Sequence, residues 1–340
     1  MKTILITGSA GFIGHHVVNY FLRNTDWNVV CMDRLDYSGD LNRLQEILED
    51  LSSSDKKRIT IIYHDLKAAI NPQLISRIGS IDIIAHLAAG SHVDRSIEYP
   101  MEFVHDNVIG TVNLLEYART LEELELFVYF STDEIFGPAP IGVKYKENDR
   151  YNSTNPYSAS KAAAEEMVVA YENTYKLPAI ISHTMNVFGE RQNPEKYIPM
   201  CISKVLKGET VTVHSNSEKT KAGSRHYIHA SDVADALYFL CTNYKDIKPE
   251  IDYGGAKCQK YNIVGSVELD NLELASKISD IIGKPLKHKF VDFHSSRPGH
   301  DLRYALDGNK MAKLGWTPVS INKSLKDTVT WTLNNRQWLL

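Results

Sequence analysis

Two short stretches of this chain hold residue types that do chemistry together. Ser131-Thr132-Asp133-Glu134 closes an apolar run, and Tyr157-Ser158-Ala159-Ser160-Lys161 follows it. Adjacent carboxylates at a strand end repel each other, which raises the pKa of one of them. Such a pair suits a site that needs one protonated and one ionised carboxyl, the first to give a proton and the second to remove one. Tyr157 and Lys161 share one face of a predicted helix, where a phenol can take the proton of a hydroxyl. A phenol's ordinary pKa of about 10 is too high for that at neutral pH, and the lysine charge one turn away is expected to lower it. Together the groups point to oxidation of an alcohol followed by loss of water. Each stretch alone reads more blandly: Asp133 and Glu134 as solvated or helix-start carboxylates, Tyr157 and Lys161 as a packing face.

Elements upstream supply a place for a cofactor. Gly8-Ser9-Ala10-Gly11-Phe12-Ile13-Gly14 lies between the apolar run Ile4 to Thr7 and a predicted helix from Gly14 to Asn24. Glycines there permit a tight turn and close backbone approach to a pyrophosphate, with the helix N-terminus attracting the anion. Asp33 follows the second predicted strand, Asn28 to Met32. A carboxylate there binds the adenosine ribose diol and repels a 2′-phosphate, which favours NAD over NADP. Arg34 beside it has the opposite tendency. Asp65-Leu66, after the third predicted strand, can approach the adenine, although Asp65 also reads as a plain turn residue. Leu87-Ala88-Ala89 keeps the backbone slim where a dinucleotide would pass.

The segments that must position these residues alternate in type. Ile59 to Tyr63, Ile81 to Leu87, Leu126 to Ser131 and Ala179 to His183 read as further strands. Asp106 to Thr120 and Ser158 to Tyr175 read as amphipathic helices between them. Such alternation predicts an α/β fold with a Rossmann-type, doubly wound parallel sheet. From about Phe188 the pattern loosens into short, Pro- and Gly-punctuated elements. We therefore expect an NAD-binding domain over 1–187, with later returns to its sheet, and mainly a smaller substrate lobe over 188–340. Ser215 to Ser224 is polar and expected on the surface.

Composition narrows the classes of function. The chain has 340 residues, 24% charged and 43% hydrophobic, with a net charge of −4. That balance gives no reason to expect nucleic acid. No apolar run approaches the roughly 20 residues that span a bilayer, and the N-terminus lacks the apolar core of a signal peptide. The 4 cysteines are scattered without C-x-x-C spacing and are expected as reduced thiols in a cytoplasmic protein. The histidines show no metal-ligand spacing, so no metal is expected.

On these motifs the chain resembles the extended short-chain dehydrogenase/reductases, and among them the nucleotide-sugar 4,6-dehydratases of the dTDP-glucose and UDP-glucose types. The likeness runs through TGSAGFIG, DRLDYSGD, HLAAGSHVDRSI, FSTDEIFG, NPYSASKAAAE, NPEKYIP and RPGHDLRYALD. It implies that Tyr157 deprotonates the sugar O4 while the C4 hydride passes to NAD. It further implies that Thr132 hydrogen-bonds O4, Glu134 removes the C5 proton and Asp133 protonates the departing C6 hydroxyl. Lys161 would hold the nicotinamide ribose. A nucleoside-diphosphate hexose would be held by Ser91, Asn186, Lys196, Tyr197, Arg225, Asn262, Arg297 and His300, with Arg225 and Arg297 best suited to clamp phosphate. Relatives pair as homodimers through the helices around Asp106 to Thr120 and Ser158 to Tyr175. Gly90, His183 and Phe188 depart from the pattern and leave the nucleotide base and the sugar open. A 4-epimerase or decarboxylase on the same scaffold is the second reading. A catalytically idle NAD-binding regulator is the third.

Overall fold

The computed structural model of the chain describes residues 1–247, 258–292 and 302–340. The first half alternates β1 (Thr3–Thr7), β2 (Asn28–Asp33), β3 (Ile59–Tyr63), β4 (Ile83–His86), β5 (Leu126–Thr132) and β6 (Ala179–Thr184) with helices. These helices are α1 (Phe12–Asn24), α2 (Leu41–Glu49), α3 (Ser53–Lys56), α4 (Pro72–Ile78), α5 (Val93–Glu98), α6 (Pro100–Phe103), α7 (Gly110–Ala118) and α8 (Pro156–Tyr175). The second half adds β7 (Val187–Phe188), α9 (Tyr197–Lys207), β8 (Thr210–Ser215), β9 (Ser224–His226), β10 (Ile228–His229) and α10 (Ala230–Asn243). It continues with β11 (Gln259–Ile263), β12 (Glu268–Asp270), α11 (Asn271–Ile282), β13 (Lys287–Asp292) and closing helices Asn309–Lys313 and Ile321–Asn334.

Seven strands form one sheet in the order β11-β6-β5-β4-β1-β2-β3, and every pair in it is parallel. This is the doubly wound, Rossmann-type arrangement expected from the alternation. Side chains alternate across the pleat. Ile4 and Ile6 therefore enter a core with Val17 and Leu237, while Leu5 enters the opposite core with Leu114 and Val168. Covered on both faces, the central strands can be continuously apolar. β11 returns to this sheet beside β6, with Asn262 opposite His183. A separate core gathers Val211, Val213, Ile278 and Leu325.

The register of β5 and β6 sets Thr132 opposite Thr184 at the strand ends. A 3₁₀ turn, Asp133–Phe136, follows β5 directly. Thus the two carboxylates stand at the carboxyl edge of the sheet, where open α/β sheets bind ligands.

One expected helix differs in detail. The segment predicted over 106–120 opens with a π-helical turn, Val104–Ile109, before α7. The wider turn places the Asn107 amide under Gly90. Its Oδ1 accepts from Gly90 N at 2.7 Å, and its Nδ2 donates to Gly90 O at 3.1 Å and to Ser160 Oγ at 2.8 Å. Single π turns occur often at functional sites, because they re-aim a side chain. The polar 215–224 segment is the turn between β8 and β9, pinned by a Ser215–Ala222 bridge.

Candidate active site

One cavity of about 400 Å³ runs along the carboxyl edge of the sheet. Its cofactor-side wall is the glycine turn: Gly8, Gly11, Phe12, Ile13 and Gly14 all line it. Gly8 has φ +69, and a Cβ there would meet Ala88 N at 2.8 Å. A Cβ on Gly14 would stand 2.0 Å from the Gly8 carbonyl oxygen. Only glycine lets this turn close and leaves the amino end of α1 open to an anion.

Asp33, Arg34, Asp65, Leu66, Leu87, Ala88 and Ala89 line the same cavity. The Asp33 carboxylate accepts from Ala10 N and Leu35 N, each at 2.9 Å, which fixes it at the end of β2. Arg34 is bound by Asp36 and lies in a bidentate pair with Asp106 at 2.5 and 2.7 Å, with Asp65 at 3.6 Å. The Asp106 hydrogen bonds outweigh partial burial and raise its pKa. Its donors are engaged by carboxylates, so the tendency towards a 2′-phosphate is opposed by negative charge.

At the far end stand Thr132, Asp133, Glu134, Tyr157 and Lys161. Asp133 is 5% exposed. Burial first, then the Glu134 charge, pushes its carboxyl up to about 7, against opposing effects of Arg225 and Thr132. The Thr132 hydroxyl donates to Asp133 Oδ1 at 3.1 Å and accepts from Glu134 N at 3.4 Å. Asn155 Nδ2 donates to Glu134 Oε2 at 3.1 Å. Two neighbouring carboxyls thus sit in different surroundings, one buried and poised to hold a proton, the other given a donor.

Local sequence fixes Tyr157 and Lys161. Asn155 caps α8 by accepting from Ser158 N, Ser158 reciprocates in a capping box, and Pro156 opens the helix. Ser96 Oγ accepts from Tyr157 N at 3.1 Å, and the Phe103 ring stands edge-on to Tyr157 at 6.4 Å. The effect expected of Lys161 on the phenol is not the one found. Burial and the Glu134 charge raise the Tyr157 pKa, and a Thr132 hydrogen bond lowers it. Lys161 Nζ instead donates to the Phe130 carbonyl at 2.7 Å and lies 4.2 Å from the Tyr129 ring centre. Burial brings this lysine down to about 7, and the Glu165 charge works against the fall.

The expected substrate residues divide. Ser91, Asn186, Lys196 and Tyr197 line the cavity. The Tyr197 hydroxyl is turned away and donates to Asn271 O at 2.7 Å, so the ring is what faces inward. Arg225 stands close enough to influence Asp133, while its Nη1 donates to the Ser224 and Leu302 carbonyls at 2.7 and 2.6 Å. Asn262 must be corrected: it is 0% exposed. Its Nδ2 donates to the Tyr145 and Asp307 carbonyls at 3.0 and 3.1 Å, and its Oδ1 pairs with His183 Nδ1 at 2.9 Å. An amide so engaged braces loops against β11 and has no face for substrate. Arg297 and His300 lie outside the described residues.

Sequence reasoning missed Asn107, Phe103 and the Asn155–Glu134 contact. For Asn155 the Asn-Pro start of the helix was a visible signal; the other two come from residues far apart in the chain.

Comparison with known proteins places the sequence and the fold. The model of the GDP-mannose 4,6-dehydratase family matches residues 5–328. The chain belongs to that family. It is 36% identical to the dTDP-glucose 4,6-dehydratase of Neisseria gonorrhoeae, over 98% of this chain and 96% of that protein. Identity to a dTDP-glucose 4,6-dehydratase of Escherichia coli is 34%, over 98% of this chain and 94% of the relative. Among solved structures, the dTDP-glucose 4,6-dehydratase of Streptomyces venezuelae with NAD bound aligns with TM-score 0.84 and 32% identity, covering 99% of this chain and 98% of that one. The UDP-glucose 4-epimerase of Thermus thermophilus, in complex with NAD, aligns with TM-score 0.81 at 26% identity, covering 97% and 98%.

Proposed function

We infer that this protein is an NAD-dependent nucleotide-sugar 4,6-dehydratase, a hydro-lyase that turns a nucleoside-diphosphate hexose into its 4-keto-6-deoxy form. The observation that carries the reading is the buried Asp133 carboxyl, held near pKa about 7 beside Glu134 in the cavity that also holds Tyr157. An epimerase needs no acid for a C6 hydroxyl. The curated relatives favour dTDP-glucose as the first substrate to test, with UDP-glucose second.

The glycine turn at the amino end of α1 and Asp33 at the end of β2 fit NAD, which would supply the hydride acceptor for sugar C4 and the hydride donor for C6. Tyr157 Oη would receive the O4 proton as a phenolate, a form that the positive nicotinamide ring of bound NAD would favour against burial, and Thr132 donates to O4 as it becomes a ketone. The ketone acidifies C5–H. Glu134 takes this proton, and the C–H electron pair forms the enolate. Asp133 gives its proton to the C6 hydroxyl, which leaves as water. Glu134 then returns a proton to C5 once C6 is reduced. Lys161 orients the cofactor ribose. Ser91, Asn186 and Lys196 contact the sugar and diphosphate, and Arg225 supplies a guanidinium for the phosphates.

We also propose a homodimer. Ile97, Tyr99, Met101, Val104 and Ile109 expose apolar side chains around α5, α6 and the π turn, at the start of the helix over 106–120 that the resemblance pairs across a dimer. The four cysteines are buried free thiols, in keeping with a cytoplasmic location.

The test is mass spectrometry of products after separate incubation with dTDP-glucose, UDP-glucose and UDP-N-acetylglucosamine. Loss of one water without added reductant supports the dehydratase and names the nucleotide. Unchanged mass with altered stereochemistry at C4 would replace it with the epimerase, and no turnover at all with the idle regulator.

A further inference from the structure

The structure places one amide between the two halves of the chemistry. Asn155 is buried, and its two polar atoms face different partners. Oδ1 accepts from Ser158 N at 2.8 Å, in the first turn of the helix that carries Tyr157 and Lys161. Nδ2 donates to Glu134 Oε2 at 3.1 Å, across from the turn after β5. Asparagine, serine and aspartate cap a helix comparably well, so capping alone does not require an amide. Only asparagine among them adds an N–H₂ that can hold an anion.

We propose that Asn155 is a positioning residue for the second half of the reaction. It sets the Glu134 carboxylate in register with Tyr157, so that the C5 proton is taken from the ketone that Tyr157 helped to make. The proposal rests on the dehydratase reading and goes beyond it by separating two steps. Tyr157 is held from the backbone by Ser96, independently of the Asn155 amide. Losing the amide therefore leaves C4 oxidation intact and slows C5 deprotonation. Hydrogen bonds to charged groups are strong enough for a loss of about 10- to 100-fold.

The experiment compares Asn155→Ser and Asn155→Asp with the parent, both of which keep a capping oxygen. C4 oxidation is read as transient reduced-cofactor absorbance after mixing with substrate. C5 deprotonation is read as deuterium uptake from heavy water, each across a pH series. The expected result is oxidation within about 2-fold of the parent and C5 exchange slowed about 10- to 100-fold. The aspartate variant should be slower than the serine one, since it sets a second anion against Glu134. Should Asn155→Ser fail to fold, Asn155→Asp carries the same test. Equal loss of both steps, or no loss of exchange, would overturn the proposal and leave Asn155 a helix cap. A parent protein that dehydrates no nucleotide sugar is a separate failure, of the reading beneath.

Discussion

Asp133 and Glu165 are both buried carboxyls, 5% and 0% exposed, yet they are displaced in opposite directions. Burial raises both. At Glu165 it is outweighed by His183 at 3.2 Å and Lys260 at 3.0 Å, with a further hydrogen bond from Tyr151, so that this carboxyl falls to about 2. At Asp133 burial is reinforced by the like charge of Glu134, which outweighs Arg225, and the carboxyl rises to about 7. Equal burial therefore makes a permanent anion in one place and a proton donor in the other. The partner decides, not the depth. Glu165 belongs to a network that braces α8 against β6 and β11, whereas at Asp133 the Arg225 charge is outweighed by burial and Glu134.

Replacing each by its amide should separate the two. Asp133→Asn should slow elimination by about 10²–10⁴-fold, the usual weight of a positioned acid, while transient oxidation at C4 persists; near-parental turnover would remove the acid from Asp133. Glu165→Gln should act on stability instead. Breaking a buried pair costs about 3–5 kcal/mol, read as a lower denaturation midpoint with its unequal burden on Lys260 and His183.

The comparison also predicts opposite pH trends. Asp133 has a folded pKa above its ordinary value, so its contribution to stability is complete at low pH and is lost as pH rises through about 7. Asp133→Asn should therefore gain in melting temperature over the parent from above the ordinary aspartate pKa of about 4 up to about 7, with a larger gain at pH 8 than at pH 5 and none below pH ~3. Parental elimination should decline over the same rise, as the acid loses its proton. Glu165, with a depressed pKa, holds its contribution above the ordinary glutamate range and loses it as pH falls towards about 2. Parallel melting of Asp133→Asn and parent across pH would break the contrast.

What was legible in sequence follows from distance along the chain. The Thr-Asp-Glu triplet, the Tyr157–Lys161 pair and the glycine turn each fit within one strand end or helical turn, so spacing alone aligned them. Asn262 and Tyr197 were assigned to substrate as single residues. Their polar atoms are claimed by Asp307 and Asn271, partners remote in sequence that no local pattern reveals. The π turn at Val104–Ile109 was hidden because one widened turn barely disturbs helical periodicity. Lys161 was expected to act on the phenol by proximity; its four-carbon stem instead carries the charge to the Phe130 carbonyl.

The smallest effect is expected at the adenosine end, where carboxylates surround a cation. Arg34 directly follows Asp33 and has the chemistry to accept a 2′-phosphate, yet Asp36, Asp65 and Asp106 gather round it. A preference for NAD over NADP would then have two sources: repulsion from Asp33, and donors at Arg34 already engaged. Asp36→Asn with Asp106→Asn withdraws the second and leaves the first. The ratio of NADP to NAD dissociation constants, from titration of cofactor-stripped protein, should narrow by about tenfold, or ~1.4 kcal/mol. An unchanged ratio would assign the discrimination to Asp33 alone, because freeing the guanidinium would then bring it nothing that the Asp33 carboxylate does not repel.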